Sequence, residues 1–230
     1  MKNLNIIYKI IIIFLVAISC ELDNYDWPDA TFYGTILDYE TNEAVQQDIR
    51  AGSVIDYIEH GFENPEVQYM VIKNDGTFRN TMMFSGTYTM ILTRGNCVPT
   101  DSVVVEISPG ENKSDFVVQP YIRIIDVSIE KSGDKIVASL KLDQTVTNKV
   151  KRIGLYAHPE PTVGEPINIV KSEKNINAVT NSETVYTLEI DLIANSNLLI
   201  AGKQYYFRVG ALIDIGQAKY NYAPAVRIGV

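Results

Sequence analysis

Cysteine and histidine are scarce in this sequence, which has two of each among its 230 residues. Metal sites and catalytic triads need several such residues close together. His60 and His158 lie far apart in the chain, and we expect each to be solvated or hydrogen-bonded. The composition therefore predicts a protein without catalytic residues, metal ligands or cofactors, and not an enzyme.

Basic residues are also few, with 20 Lys and Arg against 28 Asp and Glu and a formal net charge of −8. Lys2 and Lys9 fall in a leader that we expect to be removed, which leaves the mature chain more acidic still. A surface this acidic repels phosphate backbones, so nucleic acid is not an expected partner. The hydrophobic fraction of 46% excludes wholesale disorder and fits one large or two small globular domains.

Apolar runs long enough to cross a membrane are missing too. As a helix, the run Ile10–Ile18 would extend only about 14 Å, whereas the hydrocarbon core of a bilayer is about 30 Å thick. We interpret residues 1–19 as a signal peptide. The segment Val16-Ala17-Ile18-Ser19-Cys20 resembles the bacterial lipoprotein signal, which implies that Cys20 is lipidated and becomes the mature N-terminus. An ordinary secretory signal that happens to end in cysteine is the alternative.

Residues 20–29 are rich in acidic side chains and have no regular period, so we interpret them as a tether. Acidic residues just after a lipidated cysteine resemble the surface-export signal of Bacteroidota lipoproteins, and a merely solvated linker is the alternative. The resemblance implies a lipid anchor in the outer membrane and a protein that faces the cell exterior. With Cys20 acylated, Cys97 has no cysteine partner, and we expect a structural or loop thiol.

The rest of the chain has the pattern of β-strands. From Thr31 onward, apolar runs with a period near two are separated by turn residues roughly every 8–12 positions. This pattern predicts an all-β protein of two tandem antiparallel β-sandwiches, at 30–120 and 121–230, with the boundary at Pro120 because proline cannot donate to a strand ladder. We also predict a turn at Ser108-Pro109-Gly110 and a long polar connection over 159–184, with room for one short strand at 167–170.

Two segments characterise the first half. Gly34–Val45 begins as a strand with Gly and Asp and continues into a polar turn, and Asp75–Tyr88 combines a hairpin with an aromatic, a glycine and a tyrosine. These segments resemble carboxypeptidase regulatory-like domains, with Asn42 where those domains usually have glycine. The resemblance implies a structural and interaction module without an active site. Three large side chains of this region are predicted to be buried: Phe78, Phe84 and Tyr88.

The second half contains the segment Leu199-Ile200-Ala201-Gly202-Lys203-Gln204-Tyr205. Its Leu-x-x-Gly-x-x-Tyr spacing resembles the tyrosine corner of fibronectin type III and related immunoglobulin-like domains. The resemblance implies that the Tyr205 hydroxyl bonds to a backbone group upstream and, with Leu199 and Gly202, fixes the crossover between sheets. A tyrosine-rich strand with this spacing by chance is the alternative.

Aromatic residues offer the one indication of a ligand, because aromatic faces pack against the C–H groups of sugar rings. Most should be core, and those near turns are Trp27, Tyr156, Tyr220 and Tyr222. If the odd-numbered residues 153–157 face the core, Tyr156 and His158 point outward. Tyr156, His158, Tyr220 and Tyr222 could then form a platform for a sugar or a partner loop. The alternative is that they cap the sandwich or pack against the first domain.

Carboxylates are numerous, and Asp38 and Glu40 would share one face of a strand. A glycosidase needs a groove between two such groups, and a calcium loop needs the Asp-x-Asp-x-Asp-Gly pattern, which is missing. Catalysis is therefore disfavoured.

The whole arrangement resembles two-domain surface lipoproteins of Bacteroidota that lack an assigned function and accompany starch-utilisation-like systems. It implies an accessory glycan-binding or assembly subunit, with a membrane, a glycan and uptake proteins as partners. A structural spacer or adhesin-like subunit that binds protein partners only is the alternative.

Overall fold

The computed structural model describes residues 26–230, which contain sixteen β-strands and no α-helix. The predicted all-β fold class is confirmed. Within this range no helix is long and apolar enough to cross a membrane. The predicted signal peptide, Cys20 and the start of the tether lie outside the described residues.

The strands are β1 (Ala30–Asp38), β2 (Val54–Glu59), β3 (Gln68–Val71), β4 (Thr77–Met83), β5 (Gly86–Thr93), β6 (Val103–Ile107), β7 (Gly110–Lys113), β8 (Phe116–Val118), β9 (Ile122–Ser132), β10 (Lys135–Gln144), β11 (Val150–His158), β12 (Val170–Ala178), β13 (Tyr186–Asp191), β14 (Gln204–Ile213), β15 (Asn221–Tyr222) and β16 (Val226–Gly229).

The first domain packs a sheet of order β4-β1-β7 against a sheet of order β3-β2-β5-β6. Every second residue of β1 is buried, as one face of a strand on a core requires. Phe32 and Ile36 of β1 pack in this core with Phe78 and Tyr88. The predicted burial of Phe84 is wrong, because this residue lies in the turn between β4 and β5 and is 41% exposed. Its carbonyl instead accepts a hydrogen bond of 2.9 Å from the Tyr88 hydroxyl.

β1 also pairs in parallel with two later strands, β7 and β8. Ala30 lies opposite Gly110, and Ile36 lies opposite Phe116. The first sandwich is therefore not antiparallel throughout, and β7 begins at the last residue of the turn predicted at Ser108-Pro109-Gly110. None of the four residues of β7 is buried, so no apolar period marks it in the sequence.

The second domain packs a sheet of order β13-β10-β9 against a sheet of order β12-β11-β14-β15, with β16 also paired to β14. Inward residues of β11 and β14, such as Leu155 and Phe207, form its core. The long connection predicted over 159–184 is wrong, because residues 170–178 form the edge strand β12 along β11. Only Val170 of this strand is buried, so its alternation carries little apolar signal.

The tyrosine of the second domain returns to the backbone upstream of β14. The Tyr205 hydroxyl donates to the carbonyl of Leu198 (3.0 Å) and accepts from the backbone N–H of Ile200 (3.0 Å). Leu199 is buried between these two residues. Gly202 has a φ of 80°, a conformation that favours glycine. These hydrogen bonds join the tyrosine hydroxyl to the backbone upstream, as the resemblance of the Leu-x-x-Gly-x-x-Tyr spacing to a tyrosine corner implies.

The two domains join at a short segment between β8, which ends at Val118, and β9, which begins at Ile122. Pro120 in this segment forms an isolated bridge with Cys97. The Cys97 side chain is buried, and burial raises the pKa of its thiol to about 12. The thiol is therefore protonated at neutral pH and packs as a small apolar group.

Candidate functional site

A buried arginine lies where the two domains meet. Arg208 stands in β14 between Phe207 and Val209, which point into the second core, so strand alternation directs its side chain to the opposite face of the sheet. Segments of both domains cover that face, and Arg208 is completely buried. Within its own domain the guanidinium donates to the carbonyls of Ala223 (2.8 Å) and Val163 (3.3 Å).

The same guanidinium also binds the first domain. Arg208 Nη1 donates to the carbonyl of Gln47 (2.9 Å), and Nη2 donates to the carbonyl of Asn74 (2.8 Å) and to Oε1 of Gln46 (3.2 Å). All five acceptors of this side chain are neutral oxygens. Desolvation lowers the pKa of Arg208 to about 10, which leaves it protonated at neutral pH. The arginine thus joins the domains through the placement of carbonyl groups and not through an ion pair.

The tyrosines expected at the surface are buried beside this arginine. The ring centroid of Tyr156 lies 6.1 Å from that of Tyr220 and 6.4 Å from that of Tyr222, and the centroids of Tyr220 and Tyr222 are 5.7 Å apart. Arg208 Cζ lies 4.4 Å from the Tyr222 centroid. Strand parity places Tyr156 on the outer face of the sheet as predicted, but neighbouring segments cover that face. The expected exposure of these rings is therefore wrong. Ligand binding by them would require the cluster to open, so that role stays a prediction.

Glycines make room for this cluster. A Cβ on Gly154 would lie 2.2 Å from the Tyr156 hydroxyl, and one on Gly210 would lie 2.7 Å from the Tyr222 ring. Glycine inside a strand often marks such a close approach, so these two positions are the sequence signal for the packing. His158 is half-buried at the end of β11, and its Nδ1 accepts a hydrogen bond of 3.0 Å from the N–H of Glu160.

A cleft of about 380 Å³ lies at the junction beside Arg123. Arg123 pairs with Asp38 (2.5 Å), Glu40 (2.8 Å) and Asp143 (3.0 Å). Asp38 and Glu40, which were expected to share one face of a strand, thus both bind Arg123 of the second domain. Burial alone would raise the pKa of Asp38, but hydrogen bonds from Arg123 and from the Glu40 N–H hold it below its ordinary value of 3.8. The one aromatic residue that lines this cleft, Tyr222, is buried.

A second cleft, of about 270 Å³, runs along the edge of the junction and is called here the seam groove. It is lined by Arg50 and Ser53 from the connection between β1 and β2, Tyr69 from β3, Arg94 after β5 and Lys219 before β15. Tyr69 is 65% exposed, so its ring is open to a ligand. These residues are far apart in the sequence, and no sequence pattern connects them.

Hydrogen bonds between the domains fix one wall of the seam groove. The N–H of Lys219 donates to the carbonyl of Gly95 (3.2 Å). The Asn96 side chain donates to the carbonyl of Tyr220 (3.2 Å), and the Asn221 side chain donates to the carbonyl of Asn96 (2.9 Å). Both asparagines are buried. The groove is therefore built jointly by the two domains.

Two family profiles match the chain, one after the other. The profile described as the N-terminal domain of a protein of unknown function, DUF3823, matches residues 30–119, and the profile described as a domain of unknown function, DUF3823_C, matches residues 122–227. A solved structure from Bacteroides uniformis, named as a candidate carbohydrate-binding protein, is 36% identical with a TM-score of 0.83, and the match covers 88% of this chain and 100% of that one. The chain belongs to the DUF3823 family.

Further DUF3823 structures share the fold at lower identity. A protein from Parabacteroides merdae is 22% identical with a TM-score of 0.77, and the match covers 88% of this chain and 100% of that one. A protein from Bacteroides ovatus is 22% identical with a TM-score of 0.73, and the match covers 87% and 98%. No curated protein matches the chain.

The names of these DUF3823 relatives give carbohydrate binding or the family alone, and none of the three names an enzyme. Over residues 26–230, this DUF3823 chain has no group of three or more His, Cys, Asp or Glu side chains that could hold a metal ion. The seam groove combines an exposed aromatic ring with polar side chains.

Proposed function

We propose that this chain is a non-enzymatic glycan-binding subunit of a polysaccharide-uptake system, attached to the outer membrane through a lipid on Cys20 and facing the cell exterior. The observation that carries the binding role is the exposed ring of Tyr69 in a groove with three hydrogen-bond donors around it. The 36% identical relative named for carbohydrate binding supports the same role.

The seam groove suits a sugar for physical reasons. A tyrosine face packs against the C–H groups of a pyranose ring, while neighbouring polar side chains bind the hydroxyl groups. Arg50, Arg94 and Lys219 supply N–H donors beside Tyr69. The cleft beside Arg123 is larger but less suitable, because its cation already binds three carboxylates and its aromatic residue is buried.

A glycan array probed with the full chain in detergent tests the binding role. We expect Tyr69→Ala to weaken binding about fivefold, since packing of one aromatic face contributes on the order of 1 kcal/mol. Phe62→Ala is the matched control, because Phe62 is 63% exposed against 65% for Tyr69 and does not line the groove. Equal losses in the two variants would exclude this site. A chain that binds no glycan would instead support a structural spacer or adhesin-like subunit that contacts protein only.

The lipid anchor has a separate test. Radiolabelled palmitate should label the wild-type chain and not Cys20→Ala, because the substitution removes the side chain that would carry the lipid. Each buried CH₂ of an acyl chain contributes about 0.8 kcal/mol to membrane binding, so several chains would hold the protein at the membrane. Proteinase K added to intact cells should digest the labelled protein if it faces outward. Equal labelling of both chains, or complete protection from the protease, would contradict the anchor or its orientation.

A further inference from the structure

The seam groove concentrates positive charge in an acidic protein. Arg50, Arg94 and Lys219 line it, and none of its lining residues is a carboxylate. The chain as a whole has a net charge of −8. Three cations around one small cleft repel one another, so an occupant of opposite charge would stabilise the arrangement.

The three cationic residues come from three separate segments, each with a defined backbone position. Asp48 Oδ1 accepts hydrogen bonds from the backbone N–H groups of Arg50 (2.7 Å) and Ala51 (2.8 Å), which fixes the turn that carries Arg50. Arg94 has a left-handed backbone with φ 52°, and the N–H of Lys219 is bonded to the loop after it. This backbone geometry brings the three residues to the lining of one groove.

The cations of the groove form no ion pair with the described carboxylates of the chain. Over residues 26–230, no Asp or Glu lies within ion-pair distance of Arg50, Arg94 or Lys219. Asp48 and Glu165 line the neighbouring cleft, which Lys219 also lines, but neither carboxylate lines the groove itself. Asp56 lies opposite Tyr69 in the β2–β3 pairing and does not line the groove either. Arg123 at the other cleft, by contrast, binds three carboxylates.

We propose that the seam groove selects acidic glycans, with the carboxylate or sulfate of the sugar held by Arg50, Arg94 and Lys219 and the ring packed on Tyr69. This inference rests on the proposed glycan-binding function and narrows its ligand class. A guanidinium presents paired N–H donors that match the two oxygens of a carboxylate or sulfate. A positive groove on a protein of net negative charge also directs a polyanion toward the groove.

Matched polysaccharides test the inference with the full chain in detergent. Polygalacturonate and fully methyl-esterified homogalacturonan share sugar and linkage but differ in charge, and dextran sulfate and dextran form the same comparison for sulfate. We expect the charged member of at least one pair to bind about tenfold more tightly, and this preference to shrink as salt rises from about 50 to about 500 mM. The pair that shows the preference distinguishes a uronate from a sulfate ligand.

Charge variants assign the effect to the groove. Arg94→Gln and Lys219→Gln should each lower the affinity for the charged polymer about tenfold. Lys203→Gln, which removes an exposed cation outside the groove, should leave it within about twofold. Thermal unfolding of each variant, unchanged from wild type, shows that the loss is not a folding defect.

Two results would overturn the inference and leave the glycan-binding function intact: equal affinity for charged and neutral members, or binding confined to neutral glycans on an array of both kinds. Equal losses in Lys203→Gln and Arg94→Gln would also overturn it, because the attraction would then be unspecific. No binding to any glycan would overturn the function and the inference together.

Discussion

Two arginines join the domains of this protein in different ways. Arg208 is completely buried and donates to five neutral oxygens. Arg123 lies nearer the surface and pairs with three carboxylates, of which Glu40 and Asp143 are well exposed. The inner contact depends on where backbone carbonyls stand, whereas the outer contact depends on charge. The same residue type therefore stabilises one junction by two mechanisms that respond differently to mutation, acid and salt.

The largest expected effect is at the inner contact. Arg208→Met should lower the free energy of unfolding by about 3–5 kcal/mol, because the buried carbonyls of Gln47 and Ala223 lose their donor. Urea unfolding measures the loss, and two separate transitions should replace one if the domains uncouple. Arg227→Met, at an exposed arginine of β16, should change stability by less than about 0.5 kcal/mol. A loss below about 1 kcal/mol for Arg208→Met would show that the carbonyls find other partners.

A hydrogen bond inside one domain provides the reference for those between domains. Tyr205→Phe should cost about 1–3 kcal/mol, since it removes the donor to Leu198 and the acceptor of the Ile200 N–H. Tyr206→Phe is the neighbouring control. Hydrogen exchange of the Ile200 amide should accelerate in Tyr205→Phe alone, while the urea transition stays single. An unchanged urea midpoint in Tyr205→Phe would show that the Tyr205 hydroxyl does not stabilise this domain as a tyrosine corner.

The outer contact should be weaker. Asp38→Asn is expected to cost about 1–2 kcal/mol, because Arg123 keeps Glu40 and Asp143 as partners and the amide oxygen can still accept a hydrogen bond. Urea unfolding at neutral pH measures the cost. Glu111→Gln, which breaks a pair with Arg79 at the surface of the first domain, should cost less than about 1 kcal/mol. A loss as large as that of Arg208→Met would contradict the distinction between the two contacts.

The smallest expected effect is a pH dependence that distinguishes the two contacts. The pKa of Asp38 is depressed below 3.8 in the folded protein, so its contribution is present above that pH and is lost as the pH falls through the folded-state pKa. The stability difference between wild type and Asp38→Asn should therefore shrink below about pH 3.8. The cost of Arg208→Met should persist there, because its acceptors do not titrate. Parallel decline of both differences would contradict this assignment.

The sequence predicts the strands that bury one apolar face, but it predicts little of the edge strands and of the contacts between the domains. Alternation reveals strands such as β1 and β14 because their inward residues are apolar. β12 has no such period, since only its first residue is buried and backbone pairing with β11 forms it.

The candidate site was even less accessible to sequence reasoning. Alternation places Tyr156 and Arg208 outside the second core, but the burial of that outer face depends on loops of the same domain around Tyr156 and on the first domain at Arg208. Arg50, Tyr69, Arg94 and Lys219 come together only in the folded chain, so no spacing rule could identify the seam groove.

The parallel pairing of β1 with β8 has a mechanical consequence. A pull between the N-terminal end of β1 and the second domain would pass through this pair, where Ile36–Asp38 lie beside Phe116–Val118. Because the two strands run in the same direction, the force acts along their length and loads the ladder bonds together. An antiparallel hairpin pulled at its open end releases its bonds one at a time. The first domain is therefore built to resist tension along the direction in which an N-terminal tether would apply it.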